Sequence, residues 1–284
     1  MDRSPGTLEN SIDVSAKTIT DPAGKNAPVI FETDALRISG IHQCTLKDVY
    51  AAAMGKNIWP VRYIRNRGSI RINEQIKLAR SRVAVIGAGG LGGYVIEILA
   101  RIGIGRLTVV DGGCFDESNL NRQLLADTAA IGKKKAFIAA ERVGRINPAV
   151  DVYPHTVYLD GDNAEGFLDG CNLVVDALDN METRRVLKKT CRTLNIPLVH
   201  GAICGFEGRI MGIFPDDPDI QALFDNGEGP AAEALMGTPA VAPAVIASLQ
   251  AMEAVKILLQ RGRSFRKTML YADLENGIFN DFTF

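Results

Sequence analysis

A glycine-rich turn between apolar segments is the first feature of this chain that could bind a ligand. Residues 83–92 read Val-Ala-Val-Ile-Gly-Ala-Gly-Gly-Leu-Gly, and a second apolar run, 107–110, ends on Asp111. In a strand–turn–helix unit, such glycines let the helix N-terminus approach a phosphate, and an acid about 20 residues later accepts hydrogen bonds from ribose hydroxyls. The spacing predicts a nucleotide-binding site. The alternative is a sheet protein in which the glycines only form a tight turn.

The polar residues after Asp111 indicate a nucleotide with several phosphates rather than a redox cofactor. The fixed, permanently charged guanidinium of Arg122 suits phosphate oxygens, and Asn119 and Gln123 could orient it or contact the ribose. Lys135 opens the next predicted helix, where a positive charge is unfavourable for the helix dipole and indicates a nearby anion, although a solvated charge is the alternative for this residue. The two lysines before it are interpreted as solvated charges.

A carboxylate is expected at the same place. The segment 173–180 predicts a buried strand that ends in two acids, the second of which is Asp179. Because ligands of open α/β sheets lie at the carboxyl ends of the strands, Asp179 should face the crevice of the glycine turn. One carboxylate together with phosphates is a common way to hold Mg²⁺. A crevice with Arg122, Lys135 and Asp179 is equipped for a triphosphate and its metal, not for hydride transfer.

The elements that position these residues alternate between strand and helix from residue 82 onward. This alternation predicts an α/β fold, a Rossmann-like and mainly parallel sheet with helices on both faces. Antiparallel strands extend the sheet, one at 209–214 and a hairpin within 266–284. The predicted strands are 83–87, 107–111, 151–157, 172–176 and 197–203, and the predicted helices are 91–103, 133–146, 163–168 and 182–194.

The first 60 residues are predicted to be a separate leader, with an N-terminal tail and a small segment before a domain of residues 61–284. Residues 1–28 are rich in Ser, Thr, Asp, Pro and Gly and predict a mobile tail or an irregular arm. Residues 30–41 are interpreted as short extended pieces. Residues 45–54 predict a helix with Thr45 as its N-cap.

Two later segments differ in composition from the rest. Residues 215–239 carry six acids with many Gly and Pro, and predict a mobile crossover loop that closes over the bound acceptor. A solvated acidic loop is the alternative. Residues 241–259 predict a long apolar helix for packing in the core or in a dimer rather than for catalysis.

Composition bounds the class of protein. The 284 residues are 46% hydrophobic and 23% charged, which is typical of a globular protein. The net charge of −1 gives no electrostatic argument for nucleic acid or for an acidic membrane surface. No apolar run reaches the length of about 18 residues that a membrane helix needs, and the N-terminus does not resemble a signal peptide. A cytoplasmic protein with free cysteines is expected.

Taken together, the motifs closely resemble the ThiF/MoeB/HesA family, the bacterial relatives of ubiquitin-activating enzymes. The resemblance runs from about Arg62 to Leu259 and points to the adenylyltransferase type. The matching motifs are Arg62-Tyr63-Ile64-Arg65, the glycine turn, Asp111, Asn119-Leu120-Asn121-Arg122-Gln123, Gly132-x-x-Lys135, Asp179-Asn180 and Ser248 to Ala254.

The resemblance implies an activity, a partner and a set of site residues. Such proteins use MgATP to adenylylate a C-terminal carboxylate, usually the Gly-Gly end of a ubiquitin-like sulfur carrier in thiamin, molybdopterin or related pathways. Arg65 resembles an arginine that reaches the partner subunit's ATP site, which implies a homodimer; without the resemblance, Arg62 and Arg65 would be a solvated basic strip. By position, Gly87, Gly89, Gly90 and Gly92 would hold the nucleotide, Asp111 the ribose, Arg122 and Lys135 the phosphates and Asp179 the Mg²⁺, with Asn119, Gln123 and Asn180 in support.

The sequence departs from the family at three places. Many relatives carry two Cys-x-x-Cys pairs for zinc, but no two of the five cysteines are three residues apart, so no zinc is expected. The stretch 216–239 contains no cysteine, so we expect no obligatory covalent cysteine step. Gly112 and Gly113 follow Asp111 where relatives often have a second acid, which could loosen the ribose or adenine side.

Other functions stay open at this point. A relative that activates a small-molecule or tRNA-borne carboxylate would carry the same crevice, although the near-neutral charge argues against tRNA. An NAD- or FAD-binding oxidoreductase, or a scaffold without chemistry, is the alternative from a different class. The histidines are scattered, and only His200 falls near the predicted crevice.

Overall fold

The computed structural model describes residues 6–21, 23–218 and 236–284, and an eight-stranded sheet forms its centre. Its strands are β4 (Arg82–Ile86), β5 (Arg106–Val110), β6 (Asp151–His155), β7 (Leu173–Asp176), β8 (Leu198–Cys204), β9 (Glu207–Ile213), β10 (Thr268–Asp273) and β11 (Ile278–Thr283). Its helices are α4 (Ile72–Arg80), α5 (Gly90–Ile102), α6 (Lys135–Ile146), α7 (Ala164–Leu168), α8 (Met181–Thr193) and α9 (Val241–Leu259).

The sheet has the predicted architecture. Its strand order is β11-β10-β9-β8-β7-β4-β5-β6. The strands from β8 to β6 run parallel, and β9, β10 and β11 extend the sheet in antiparallel pairs. The α/β class with a mainly parallel sheet is therefore confirmed. Element boundaries agree with the sequence prediction to within a few residues, and β4, β5 and β7 are short apolar runs that end at or just before Gly87, Asp111 and Asp176.

Helices cover both faces of the sheet, which explains why its central strands are apolar throughout. Successive residues of β4 point to opposite faces. Val83 and Val85 pack in the main core cluster with α5, α6 and α9. Ala84 and Ile86 pack on the other side in a smaller cluster with α7 and α8.

Contrary to the expectation that no segment is long and apolar enough to cross a membrane, helix α9 is so by length and composition, a property that core helices share. In this structure it packs against α5, β8 and β9, and Ile246 and Ala251 lie in the main core cluster. Glu253 on the same helix is fully buried, pairs with Lys256 and accepts a hydrogen bond of 2.7 Å from the N–H of Phe265. The helix therefore packs in the core, one of the two packing roles that the sequence predicted.

The N-terminal residues form a folded layer rather than an irregular arm. It contains α1 (Leu8–Ser15), β1 (Lys17–Thr20), β2 (Asn26–Ile30), α2 (Glu32–His42), α3 (Leu46–Gly55), β3 (Trp59–Pro60) and a 3-10 helix (Val61–Asn66). The prediction of a tail over residues 1–28 is wrong for their described part. The few apolar residues there, such as Ile12 and Val29, are completely buried against α2 and α3 in a separate cluster. Most of the other side chains face solvent, which explains the polar composition.

The prediction of extended pieces over 30–41 is also wrong, because helix α2 occupies most of that range. The β-branched residues suggested strands, but Ala35 and Ile38 are three apart and bury one face of a helix. Glu32 in the first turn favours the helix dipole. The predicted helix at 45–54 is confirmed as α3, and Thr45 forms a capping box with Asp48.

The N-terminal layer docks at the end of the sheet where the parallel strands begin. Asn147 is fully buried and donates hydrogen bonds to the hydroxyl of Tyr63 at 2.8 Å and to the carbonyl of Ala100 at 2.7 Å. Arg62 donates to the carbonyl of Ile146 at 2.8 Å. These bonds join the layer to the C-terminal ends of α5 and α6. The division of the chain near residue 60 stays a prediction, as does the crossover loop, since residues 219–235 lie outside the described ones.

Candidate functional site

A crevice of about 440 Å³ opens at the carboxyl ends of β4, β5 and β7. Its volume lies within the range of about 300–1,000 Å³ that is usual for ligand pockets. Most of the residues singled out from the sequence line this one crevice, although they come from five separate segments of the chain. The predicted residues that line it are Gly87, Gly89, Gly90, Asp111, Arg122, Gln123, Lys135, Asp179 and Asn180.

The glycine turn owes its shape to two close backbone approaches. Gly87 has a φ of +96°, and a Cβ on it would lie 2.5 Å from the carbonyl oxygen of Ala177. A Cβ on Gly92 would lie 1.8 Å from the carbonyl oxygen of Gly87. Gly92 therefore lets helix α5 pack on the turn and does not line the crevice. Gly90 begins the helix, so the free N–H groups of its first turn face the crevice.

Asp111 joins two loops at the floor of the crevice. One carboxylate oxygen accepts a hydrogen bond of 2.7 Å from the N–H of Ala88, and the other accepts one of 2.8 Å from the N–H of Gly113. Each oxygen of an ionised carboxylate has a second acceptor position. Asp111 can therefore hold the glycine turn in place and still accept hydrogen bonds from a ribose.

Positive charge enters the crevice from the loop after β5 and from the start of α6. Arg122 donates to the carbonyl of Ser118 at 3.0 Å and to the side chain of Asn121 at 2.9 Å. Lys135 is the first residue of α6, and its ammonium lies 5.6 Å from the ring centroid of Phe115. Both groups are placed where an anion bound to the glycine turn would meet them.

Asn119 and Gln123 differ in position. Asn119 is buried, donates to the Asp116 carboxylate at 3.1 Å and caps a short 3-10 helix, so it shapes the loop without lining the crevice. Gln123 lines the crevice, and its buried Oε1 has no hydrogen-bond partner among the described residues. Buried acceptors are usually satisfied in native proteins, which favours a ligand that donates a hydrogen bond there.

Asp179 offers one exposed carboxylate at the far wall of the crevice. Its neighbour Asn180 caps α8 by accepting a hydrogen bond of 2.9 Å from the N–H of Thr183. Among the described residues there is no group of three or more His, Cys, Asp or Glu that could hold a metal ion. A single carboxylate fits Mg²⁺ that takes its other ligands from phosphates and water, which is usual for nucleotide sites.

Several crevice residues escaped the sequence analysis. Tyr158 is 75% exposed, and a Cβ on Gly112 would lie 2.7 Å from its ring. Gly112, noted in the sequence only as a departure, thus leaves room for an aromatic wall next to Asp111. Thr238 and Leu159 also line the crevice. These residues lie in loops far apart in sequence, and no local pattern predicts their approach.

The sequence model of the ThiF family matches residues 63–284. The chain belongs to the ThiF family. It is 41% identical over 202 residues to the SAMP-activating enzyme E1 of Haloferax volcanii, covering 70% of this chain and 75% of that protein. It is 37% identical over 219 residues to the sulfur carrier protein adenylyltransferase of Thermus thermophilus, covering 74% and 80%. The family predicted from the motifs is confirmed.

Solved structures of low sequence identity share the fold. The structure of E. coli MccB with ATP has a TM-score of 0.67 at 18% identity and covers 89% of this chain and 79% of that one. The structure of PaaA has a TM-score of 0.65 at 18% identity and covers 95% and 98%. The PaaA match covers 95% of this chain and therefore includes most of the N-terminal layer as well as the ThiF region.

Beneath the crevice of this ThiF-family protein lies a buried ionic network around Asp176, the last residue of β7. One carboxylate oxygen accepts a hydrogen bond of 3.0 Å from the N–H of Leu178, and the other contacts His200 Nδ1 at 2.7 Å and Arg184 Nε at 3.3 Å. Arg184 also donates to the carbonyls of Leu178 and Gly201. Side chains from β8 and α8 therefore fix the turn that carries Asp179.

The charges of this network are settled by burial and pairing. Burial alone would raise the pKa of Asp176, but the Arg184 guanidinium and the hydrogen bond from His200 outweigh it and hold that pKa below its usual range. Burial lowers the pKa of His200 to about 4, against the opposing attraction of Asp176. His200 is therefore neutral at pH 7 and donates from Nδ1. It is a structural residue beneath the crevice and does not line it.

Arg65 is the one predicted catalytic residue that lies away from this crevice. It is exposed on the 3-10 helix Val61–Asn66, whose Tyr63 packs against Gly103 just before β5 begins. The crevice lies beyond the other end of β5, a strand of 5 residues. At about 3.3 Å per residue, the strand separates the two places by roughly 17 Å. Arg65 therefore does not reach the crevice of its own chain.

The close approach of Gly92 to the turn predicts a strong effect of one methyl group. We expect Gly92→Ala to lower the free energy of unfolding by about 3 kcal/mol or more, because the clash is with backbone that cannot move aside. The matched control is Gly144→Ala on α6, where a Cβ meets nothing within 4 Å. It should raise stability by about 0.5–1 kcal/mol through the better helix propensity of Ala. Urea unfolding measures both, and equal effects would contradict the packing role of Gly92.

The neutral state of His200 predicts how stability depends on pH. Because its folded pKa lies near 4 and its unfolded value near 6.5, the unfolded chain binds a proton in this window and the native chain does not. Stability should therefore fall by roughly 3 kcal/mol as the pH drops from 6.5 to 4. The His200→Gln variant should show a shallower slope there. Unfolding curves at several pH values test this. If stability depends on pH equally in the variant and in the parent chain, a group other than His200 binds the proton.

Proposed function

We propose that the chain is an ATP-dependent adenylyltransferase that activates the C-terminal carboxylate of a ubiquitin-like sulfur-carrier protein. The observation that carries the proposal is the convergence of Arg122, Lys135 and Asp179 on a crevice floored by the glycine turn and Asp111. The names of the Haloferax and Thermus relatives support the same reaction and the same class of partner.

In the proposed reaction, a carboxylate oxygen of the carrier attacks the α-phosphorus of ATP. The bond from this phosphorus to the bridging oxygen breaks, pyrophosphate leaves, and an acyl-adenylate remains. The attacking carboxylate is already ionised at neutral pH, so no general base is needed. His200, which is fully buried and bound to Asp176, is not required for proton transfer. Catalysis then comes from positioning and from stabilisation of charge.

Each residue of the crevice has a role in this proposal. The backbone of Gly87, Gly89 and Gly90 approaches the phosphates, and Asp111 accepts hydrogen bonds from the ribose hydroxyls. Gly92 packs helix α5 on the glycine turn and does not contact the nucleotide. Asn119 supports the loop after β5. Bound Mg²⁺, held by Asp179, would neutralise charge on the departing phosphates. The remaining crevice residues hold charge or orient the nucleotide: Arg122, Gln123, Lys135 and Asn180.

The proposal includes a homodimer and a cytoplasmic location. Arg65 lies at the opposite end of its own sheet from the crevice, and an always-charged arginine in that position could serve the ATP site of a second copy. The carrier would end in Gly-Gly, because a tail without side chains enters a narrow crevice with the least steric cost. The near-neutral net charge of −1 favours a protein acceptor over tRNA.

ATP–pyrophosphate exchange with a panel of Gly-Gly-ending carriers from the same genome tests the reaction. We expect exchange that depends on one carrier and on Mg²⁺. Asp179→Ala should reduce it by about 100-fold or more, because the charge of the departing phosphates is then unbalanced. Asp162→Ala, which removes an exposed acid outside the crevice, should leave it unchanged. Nucleotide binding without exchange for any carrier would indicate a non-protein carboxylate, and bound NAD or flavin would overturn the proposal.

Mixed dimers test the placement of Arg65. Arg65→Ala and Lys135→Ala homodimers should both be inactive in the exchange assay. A dimer with one copy of each variant retains one crevice with Lys135 and an Arg65 supplied by its partner. Such a dimer should regain about half of the parental activity if charge stabilisation crosses the interface. If Arg65 acts within its own chain, every crevice lacks one of the two residues and the mixture stays inactive.

A further inference from the structure

A second cavity, of about 200 Å³, lies on the sheet face that carries α7, near the starts of β4 and β5. Within the described part of the chain, it shares no lining residue with the nucleotide crevice. Nothing in the proposed adenylation uses it. Its lining includes two arginines, and we call it the arginine cavity. The charged or ring-bearing side chains of its lining include those of Arg82, Arg106, Tyr153, His155 and Asp169.

The register of the sheet places two like charges side by side. Arg82 and Arg106 are directly paired residues of the parallel strands β4 and β5, so both guanidinium groups leave the sheet on the same face. Like charges directly opposite each other are unfavourable in a sheet. The next residue in register, Asp151 on β6, is engaged by Lys47 at 2.8 Å. Within the part of the chain that the structure describes, neither arginine has a carboxylate partner within 4.0 Å.

Arg106 is held in one orientation. Its guanidinium carbon lies 3.8 Å from the ring centroid of Tyr153, a distance typical of stacking. Its Nε is buried and has no hydrogen-bond partner among the described residues. A buried donor without a partner costs free energy, and the guanidinium fork is preorganised for an oxyanion.

The other polar groups leave the cavity with a net positive charge. His155 packs its ring on Phe167 at 4.4 Å, and burial lowers its pKa, so it is mainly neutral at pH 7. Asp169 is the one carboxylate in the lining, and it is exposed at the rim. The two guanidinium groups therefore outweigh the negative charge that faces the same space.

We propose that the arginine cavity binds a small phosphate-type oxyanion, either inorganic phosphate or the phosphate of a monoester. Two guanidinium groups from adjacent strands can each form paired hydrogen bonds to such an ion. The volume of 200 Å³ holds several times the ≈ 30 Å³ of a water molecule but is below the ≈ 300 Å³ at which pockets for larger ligands begin. The site is independent of the proposed adenylation, so either can fail without the other.

The test measures the thermal midpoint of the full chain in rising inorganic phosphate, with chloride at matched ionic strength as the reference. The midpoint should rise with the logarithm of the phosphate concentration once this exceeds the dissociation constant, and it should stay above the chloride reference. Arg106→Gln should raise the dissociation constant for phosphate at least about tenfold, because each charge-assisted contact contributes at least that factor. The double variant Arg82→Gln, Arg106→Gln should lose the rise of the midpoint that is specific to phosphate. O-phosphoserine, used in place of phosphate, distinguishes the sources: tighter binding indicates a monoester, equal or weaker binding the free ion.

Two controls keep this test specific. Arg80→Gln removes a neighbouring exposed arginine outside the cavity and should leave the phosphate effect unchanged. Arg122→Gln removes a phosphate contact in the nucleotide crevice, and the part of the phosphate effect that depends on Arg82 and Arg106 should persist in it. In chloride alone, Arg106→Gln should remain folded with a midpoint near that of the parent, since it relieves the like-charge pair as it loses the stack on Tyr153. If the effect persists in the double variant, or disappears in Arg122→Gln, the arginine cavity is not the site.

Discussion

A single buried carboxylate, that of Asp176, is the constraint on which the site depends most. It lies at the end of the central strand β7 and has no contact with solvent. A buried charge is costly unless it is paired and hydrogen-bonded. The required partners, Arg184 and His200, come from α8 and β8, and Gln250 of α9 donates to the backbone carbonyl of Asp176 at 2.8 Å. Satisfying one carboxylate thus fixes α8 and β8 around one strand end, and Gln250 adds α9 through the backbone of the same residue.

This arrangement explains how an exposed acid can be placed accurately. Among the described residues, the side chain of Asp179 has one hydrogen-bond contact, at 3.5 Å with the side-chain amide of Asn180. Its position is set by the backbone of the turn, which Arg184 holds from below. The glycine turn opposite is held in the same way, by Asp111 and by the close packing of Gly92. The groups that face the ligand are thereby free to bind it, while the groups behind them carry the structure.

Different features lie at the two ends of the parallel sheet. The carboxyl ends of the strands carry the nucleotide crevice, as is usual for open α/β sheets. The opposite ends carry the N-terminal layer with Arg65, and also Arg82 and Arg106 of the arginine cavity. The N-terminal layer is therefore remote from the crevice of its own chain. The contribution to adenylation that we propose for Arg65 therefore comes from a second copy of the chain.

The class of fold, the family and most residues of the crevice could be predicted from the sequence. The reason is that the glycine turn, the acid after β5 and the acid after β7 all follow short apolar strands, and strand ends meet at one edge of a parallel sheet. The tertiary structure alone decided the fold of the N-terminal layer, the approach of Tyr158 to Gly112 and the structural role of Asn119. It also decided the pairing of Asp176 with His200 and of Arg82 with Arg106 in register. Those features depend on contacts between residues distant in the chain, which no local period or motif encodes.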